Sequence, residues 1–564
     1  MTSRLAERGF DLRSSWLILV SCVAVSIVVA AMASLNIALA DIAVDIGADN
    51  GQMTWIIDGY TLALAALLLP AGAIGDRFGR RGTLIAGLLL FALASIAPVW
   101  LSDPTQVIIS RCVAGVAAAL IMPATLSLIT SGVPEKTRPI AISIWAAIVG
   151  AGAIGGFFVT GLLLEFFSWT SIFISFTISA VVMAALSLTI GTSKDRDPGP
   201  FDVLGSAASI LGISAIVFGL LEVARVGWTD PLVLGTIIVG AVLLAAFCVI
   251  ELRTAAPLLD VRLFGNRAFG AGSLSVALQF FASFGAFYLL LQRLQLVFGF
   301  TPLQSAAALS PMVVGVVVFS LLSNYIAVRF HSLRFVIAGG TLIAGIGMLL
   351  LGVLDYDSYW QLAWMTALVA AGIGLASAPS TTAIMANTPL DNQGVGSAVN
   401  DTARELGAAV GIALAGSLLA TGYASRIADT SNDVRQQLTA AGEQRVAAGD
   451  PTGQALIAQA PDVADRVGRS LAEATAVAER LPASAAQLSA RIIDGAQSAF
   501  IVPMNHACVI LAIVLISGAA FLAWYTPRRV VGVGIHDGPQ PDSPTTEPPH
   551  PDGPQPDHTQ FPPA

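Results

Sequence analysis

The sequence predicts an all-α integral membrane protein of fourteen transmembrane helices, and three observations predict it. Of its 564 residues, 55% are apolar and 11% are Asp, Glu, Lys or Arg, against roughly a quarter charged in an ordinary soluble domain; the mean hydropathy is +0.78. Apolar runs of about 20 residues, enough to cross a hydrocarbon core of ~30 Å as helix, recur along the chain. The basic residues are sorted by side of the membrane. So few charges cannot clothe a water-facing surface of this size, which excludes a soluble globular enzyme. A closed barrel would show short alternating segments instead, so helices are the solution that satisfies the backbone.

In chain order the spans fall approximately at 16–40, 54–74, 83–100, 105–129, 139–163, 171–190, 204–222, 231–250, 269–292, 303–327, 335–354, 360–384, 395–421 and 501–525. Ala38-Leu39-Ala40 behind Arg4, Arg8 and Arg13 imitates a signal-peptidase site. The apolar run before it is too long for a cleavable signal, so it counts as span 1. An even number of spans puts both termini on one side. Seventeen Lys and Arg residues lie on that side, whereas the short loops opposite carry Arg225 and Arg293. That asymmetry makes the termini cytoplasmic and the protein a multi-pass plasma-membrane protein. Seven further arginines sit in one long opposite-side loop, and Arg111 and Arg404 fall inside spans.

Two segments depart from the membrane pattern. Residues 423–499 are rich in Ala, Gln, Arg and Asp with helical periodicity, and are expected to form a polar, partly helical extracytoplasmic insert, either a hairpin extension or a docking cap. The tail 530–564 repeats Asp-Gly-Pro-Gln-Pro-Asp at 537–542 and 552–557 and is expected to be disordered. The organisation expected is an N-terminal six-helix bundle at 1–190, two linker spans at 191–268, and a C-terminal six-helix bundle at 269–529 that carries the insert.

Cofactor and metal chemistry have no foothold in the pattern. Cys22, Cys112, Cys248 and Cys508 are scattered through apolar stretches and read as small core residues. The five histidines form no cluster, and no HExxH, GxSxG or P-loop occurs. A net charge of -8 argues against nucleic acid as a partner.

Between spans 2 and 3 stand Gly72, Gly75, Asp76, Arg77, Gly79, Arg80 and Arg81, in the order Gly-Ala-Ile-Gly-Asp-Arg-Phe-Gly-Arg-Arg. Gly79 permits a tight reversal, while Asp76 and the arginines can make charge-assisted bonds to neighbouring helix ends. This loop resembles the GxLaDrxGrkxxl motif of the major facilitator superfamily. Fourteen spans narrow the resemblance to the drug:proton antiporter branch, as do Trp55-Ile-Ile-Asp58-Gly-Tyr60, Asp202-Val-Leu-Gly205, Gly227-Trp228, residues 257–269 and Asn400-Asp401-Thr-Ala-Arg404-Glu405-Leu-Gly407. The resemblance implies two six-helix bundles around a central cavity open alternately to each side. It implies export of amphipathic small molecules against inward proton flow, with Asp76 to Arg81 as a cytoplasmic gate, the proton gradient as energy source and no cofactor. A lipid or other envelope amphiphile is the alternative cargo, with or without proton coupling. A monomer is expected.

Charges inside spans are costly, so each is a functional candidate. At 1.5 Å per residue, Asp58 in span 2 and Arg111 in span 4 lie roughly 8 to 9 Å deep from the extracytoplasmic side, with Asn36 near that layer. Equal depth suggests one hydrated network; Asp58 reads equally well as a structural residue at the start of its helix. Arg111 with Gly115 resembles the branch's RxxxG motif, in which the arginine is tied to proton coupling. Span 13 adds Asp401, Arg404 and Glu405, either an internal ion pair or a proton site. Gly152 and Gly156, with Gly155 beside them, and Gly407 with Gly411 are spaced for close helix packing. Asn36, Met122 and Gln279 are cavity-lining candidates from depth alone. The branch's usual helix 1 aspartate is Ala31 here, which moves the coupling role to Arg111, Asp58, Glu405, Asp401 and Arg404.

Overall fold

The computed structural model describes residues 11–195, 200–330, 332–356, 358–481 and 485–527. Arg4, Arg8, the tail 530–564 and the side chain of Asn36 lie outside that description. Among the described residues, fourteen helical segments are long and apolar enough to span a membrane. The first six are α1 Leu12–Ile46, α2 Asn50–Phe78, α3 Arg80–Ile96, α4 Pro104–Gly132, α5 Arg138–Phe166 and α6 Thr170–Ser187. A linker pair follows, α7 Val203–Val226 and α8 Pro231–Arg253. The last six spans are α9 Arg267–Leu296, a broken span formed by α10 Pro302–Ala308 and α11 Ser310–Phe330, α12 Leu333–Val353, α13 Tyr359–Ala386, α14 Gln393–Ala447 and α17 Ala486–Tyr525. Between the last two stand α15 Thr452–Arg469 and α16 Leu471–Glu479. The face on which α1 starts and α17 ends is called the terminal face, and the opposite one the insert face.

Short polar residues set the helix starts. Asp11, Asp49, Asp103, Asp202, Asp230, Asn266 and Ser358 each accept a bond from a free N–H of the first turn. Asp49 forms a reciprocal capping box with Gln52. The cap of α2 is therefore Asp49, and Asp58, two turns further in, does not serve as the structural start of that helix.

The insert is not a separate module. α14 runs unbroken for 55 residues, about 80 Å at 1.5 Å per residue, and α17 starts 15 residues before its apolar stretch. Tyr423, Ile427, Val434 and Leu438 form a buried stripe along the extension of α14. Tyr423 donates its hydroxyl to Val467 O at 3.0 Å and Ser431 donates to Ala464 O at 2.6 Å, tying α15 to that stripe. A Cβ on Gly442 would meet Gly453 O at 2.8 Å, so backbones touch where α14 and α15 cross. Ala-rich composition favours helix here without bulky side chains.

The linker pair covers the seam between the halves. Leu220, Val223 and Val233 pack with Ala409 and Ala413 of α14, and Phe218 stacks on Trp55 of α2 at 6.0 Å. The other side of α8 exposes Ile238, Val239 and Val242, as a lipid-facing helix does. Cys248 is exposed as well, whereas Cys22 and Cys508 are buried and Cys112 is half-buried, so one of the four cysteines is not a core residue. Arg293, which the span boundaries assign to a loop, sits inside α9, stacked on Tyr356 at 3.8 Å and donating to its carbonyl at 2.9 Å.

Glycine governs the linker's terminal end. Asp202 caps α7 through Gly205 N–H, and the buried Glu251 accepts from Leu259 N–H at 3.1 Å. A Cβ on Gly205 would collide with Glu251 Oε1 and stand 2.7 Å from Asp202 Oδ2. Gly205→Ala is expected to lower the melting temperature of the detergent-solubilised protein, at a cost of about 1–3 kcal/mol for overpacking. Gly235→Ala, where open space surrounds the Cα, should leave it unchanged; equal melting of the two variants would refute the packing account.

Candidate functional site

A latch on the terminal face joins the two halves. Gly79 has φ +109°, a conformation that only glycine adopts without strain, and the chain reverses there from α2 into α3. One turn earlier Asp76 is buried, and its carboxylate accepts from Gly394 N–H at 2.8 Å and Val395 N–H at 3.0 Å. Those are unsatisfied donors of the first turn of α14, where the helix dipole also favours an anion. Arg80 pairs with Asp76 at 2.6 Å. It also donates to Ser193 Oγ at 3.0 Å and to the carbonyls of Leu390 and Asp391 at 3.1 Å each. Arg81 donates to Ile190 O at 3.0 Å. Arg77 lies 5.7 Å from the Phe78 ring. Gly72 and Gly394 face each other so closely that a Cβ on either would stand 2.5 Å from the other's carbonyl oxygen. α2 and α14 therefore close this face backbone to backbone.

Further along α14 lies a buried charged trio. The Arg404 guanidinium sits between Trp145 of α5 at 4.6 Å and Phe280 of α9 at 4.9 Å. Trp145 is held by donating to Thr125 Oγ1 at 3.1 Å. Among the described residues no carboxylate comes within 4.0 Å of Arg404, so the simple ion pair that the sequence allows is not formed. Arg404 Nε and Nη1, Asp401 Oδ2 and Glu405 Oε2 are all buried without a hydrogen-bond partner. Asp401 Oδ1 accepts from Asn400 at 3.2 Å, and Thr381 donates to Asn400 Oδ1 at 3.1 Å. Gln279 joins the same polar seam from α9, bonding Ser275 at 2.9 Å and Ser380 at 3.3 Å. With both acids ionised the trio carries net charge -1, and one proton brings it to neutrality.

Arg111 is also buried, and its donors go to backbone. It donates to Ile56 O and Ala31 O, both at 3.2 Å, and covers the Tyr60 ring at 4.4 Å. Tyr60 donates to Val28 O at 2.9 Å and lies within the field of Glu405. Asp58 has Glu222 of α7 as its charged neighbour, and Glu222 pairs with Arg225 at 2.8 Å. Among the described residues Asp58 and Arg111 share no direct hydrogen bond or ion pair, and their partners lie on different helices; the third member of the expected network, Asn36, has its side chain outside the described residues. Met122 is packed in the core of the N-terminal half.

The packing glycines divide. Gly115 faces Tyr60 O of α2, Gly156 faces Ala30 of α1, Gly152 faces Val29, and Gly407 and Gly411 face the carbonyls of Ala277 and Phe281 in α9. Gly155 has nothing within 4 Å and packs against no helix. Trp145, Phe280, Tyr60 and Thr381 complete the site and are not separable by sequence pattern from ordinary core residues.

Fold and site together define a polytopic membrane protein of two helical bundles, latched at one face and carrying a buried charge cluster between them. The chain belongs to the major facilitator superfamily: the family model matches residues 20–412. It is 31% identical over 490 residues to the methyl viologen resistance protein SmvA of Salmonella typhimurium, covering 86% of this chain and 93% of that one. It is 30% identical over 494 residues to the multidrug efflux pump LfrA of Mycolicibacterium smegmatis, covering 86% and 91%. Among solved structures the proton:xylose symporter XylE matches with TM-score 0.48 and 16% identity, over 70% of this chain and 86% of that one.

Proposed function

We propose that this chain is a plasma-membrane exporter of hydrophobic or cationic small molecules, driven by proton antiport through alternating access, with the terminal face cytoplasmic. The observation that carries the reading is the trio of Asp401, Arg404 and Glu405, buried between the halves with unpartnered atoms on all three. The trio lies about 10–16 Å along α14 from the latch at Gly394, as the residue spacing of a helix requires. A proton or a cationic compound at the acids changes the charge balance on the same rigid helix that Asp76 holds. Loading the site and opening the cytoplasmic face are thereby linked through one element. The sided basic residues support the orientation, and the names of SmvA and LfrA support resistance-type cargo.

The test is counterflow in proteoliposomes holding the intact chain. An imposed proton gradient should drive accumulation of a fluorescent cationic dye, and Asp401→Asn with Glu405→Gln should reduce that gradient-driven component at least ten-fold while dye binding persists. Dye movement that ignores the gradient, or a double variant that performs like the parent, would sink the coupling assignment.

A further inference from the structure

A cleft opens on the insert side of the C-terminal half, outside the site just described. α14 and α17 form two of its walls, and Trp228 from the turn between α7 and α8 forms the third. Its volume is about 630 Å³, within the usual range of about 300–1,000 Å³ for sites that hold small molecules. Gly422 and Pro503 are in direct contact midway along the cleft, since a Cβ on Gly422 would stand 2.5 Å from Pro503 Cβ.

Polarity is ordered along the cleft. Leu418, Val509, Ile510 and His506 line the part that lies within the apolar stretches of α14 and α17, and Arg426 stands beyond it. Leu418 and Arg426 are eight residues apart on one helix, about 12 Å along its axis. That length covers the step from the edge of the hydrocarbon layer into the headgroups, where Arg426, five residues beyond the apolar stretch of α14, is exposed. His506 lies five residues inside the apolar stretch of α17 and is exposed too. An exposed imidazole at that depth meets lipid and not bulk water. No carboxylate of a described residue comes within 4.0 Å of Arg426 or His506. Trp228 spends its indole N–H on Ser417 Oγ at 2.9 Å, which fixes the ring as an apolar wall at the interface.

We infer that this cleft binds one anionic phospholipid from the leaflet on the insert side, with an acyl chain along Leu418, Val509 and Ile510, His506 at the level of the glycerol and ester groups, and the phosphate at Arg426. Apolar wall, polar middle with Trp228 and His506, and the Arg426 cation follow one another in the same order as acyl chain, glycerol and phosphate. The assignment does not depend on which compound is exported, or on proton coupling. A lipid seated there wedges the roots of α14 and α17 and so stands against the same helix that carries the latch.

The experiment uses the full chain in nanodiscs doped with brominated lipid, which quenches tryptophan on contact. The Trp228 signal is the difference between the parent and Trp228→Phe. Brominated phosphatidylglycerol should quench that signal at a mole fraction about five-fold lower than brominated phosphatidylcholine, the preference that one interfacial cation supplies. Arg426→Gln with His506→Gln should bring the ratio to one, whereas Arg426→Lys should keep most of it; both positions are exposed, and an unchanged size-exclusion profile confirms folding. Equal quenching by the two lipids in the parent, or a preference that survives in the double glutamine variant, overturns the inference. So does a cationic dye that displaces both lipids equally, since the cleft would then be an exit for cargo.

Discussion

Asp76→Asn should release the terminal face. In the closed arrangement the Asp76 carboxylate holds Gly394 and Val395 N–H, and its partner Arg80 holds the carbonyls of Leu390 and Asp391. These four bonds link the halves and exist only while the face is shut. An amide keeps the shape but removes the charge, leaving Arg80 buried without its counter-ion. The Asp76–Arg80 pair lies within one half, so the part of the cost that falls on the closed state is the loss of the charge-assisted bonds from Gly394 and Val395 N–H, about 1.5–3 kcal/mol each. The equilibrium between closed and open faces should shift by two to three orders of magnitude. Spin labels at Phe78 and Leu390, both exposed, would read this as replacement of one short distance by a broad, longer distribution, with transport reduced more than ten-fold. If the short distance persists in Asp76→Asn, the carboxylate is not what closes the face.

The second large effect concerns Arg404. Removing it as Arg404→Ala leaves Asp401 and Glu405 as buried acids with no cation and empties the slot between Trp145 and Phe280. Emptying a packed slot and removing two desolvated cation–π contacts should cost about 2–5 kcal/mol, seen as a lower melting temperature and low yield. Adding Asp401→Asn and Glu405→Gln to that variant should restore part of the melting temperature, because the uncompensated charge is gone, yet should not restore gradient-driven transport. Such non-additivity is the signature of groups acting as one unit. Arg404→Lys should not substitute fully, since an ammonium lacks the planar face that stacks on two rings. Should the triple variant melt as low as Arg404→Ala, the arginine's role is packing and not charge compensation.

How far the sequence reached is clearest at these same residues. The latch was legible because its chemistry is local: a glycine that reverses the chain, an acid one turn before it and arginines just after. Its partner was not, since Gly394 lies 318 residues from Asp76 and has no side chain to advertise a role. Depth was legible too, by counting residues into a span, but depth fixes only one of the coordinates of a side chain. Asp58 and Arg111 share a layer and face different neighbours, one towards α7 and the other towards α1 and α2. Arg404 lands on Trp145, 259 residues earlier in the chain, a contact that no periodicity encodes. Arg293 was misplaced by a single residue, because an apolar run stops at the first charge while the helix does not. The continuous helices of the insert had a signal in the buried stripe at 423, 427, 434 and 438, diluted by alanine between them.

The unbroken length of α14 has a mechanical consequence. One end is pinned at Asp76 and the other carries α15 and α16 well beyond the lipid. A pivot of about 5° at the pinned end would swing the far tip of an ~80 Å rod by about 7 Å. In the exporter proposed above, the hairpin is thus a pointer whose position reports, on one side of the membrane, whether the latch on the other side is engaged. By thermodynamic reciprocity, an antibody fragment that grips the pointer in one position biases the gate without ever entering the cavity.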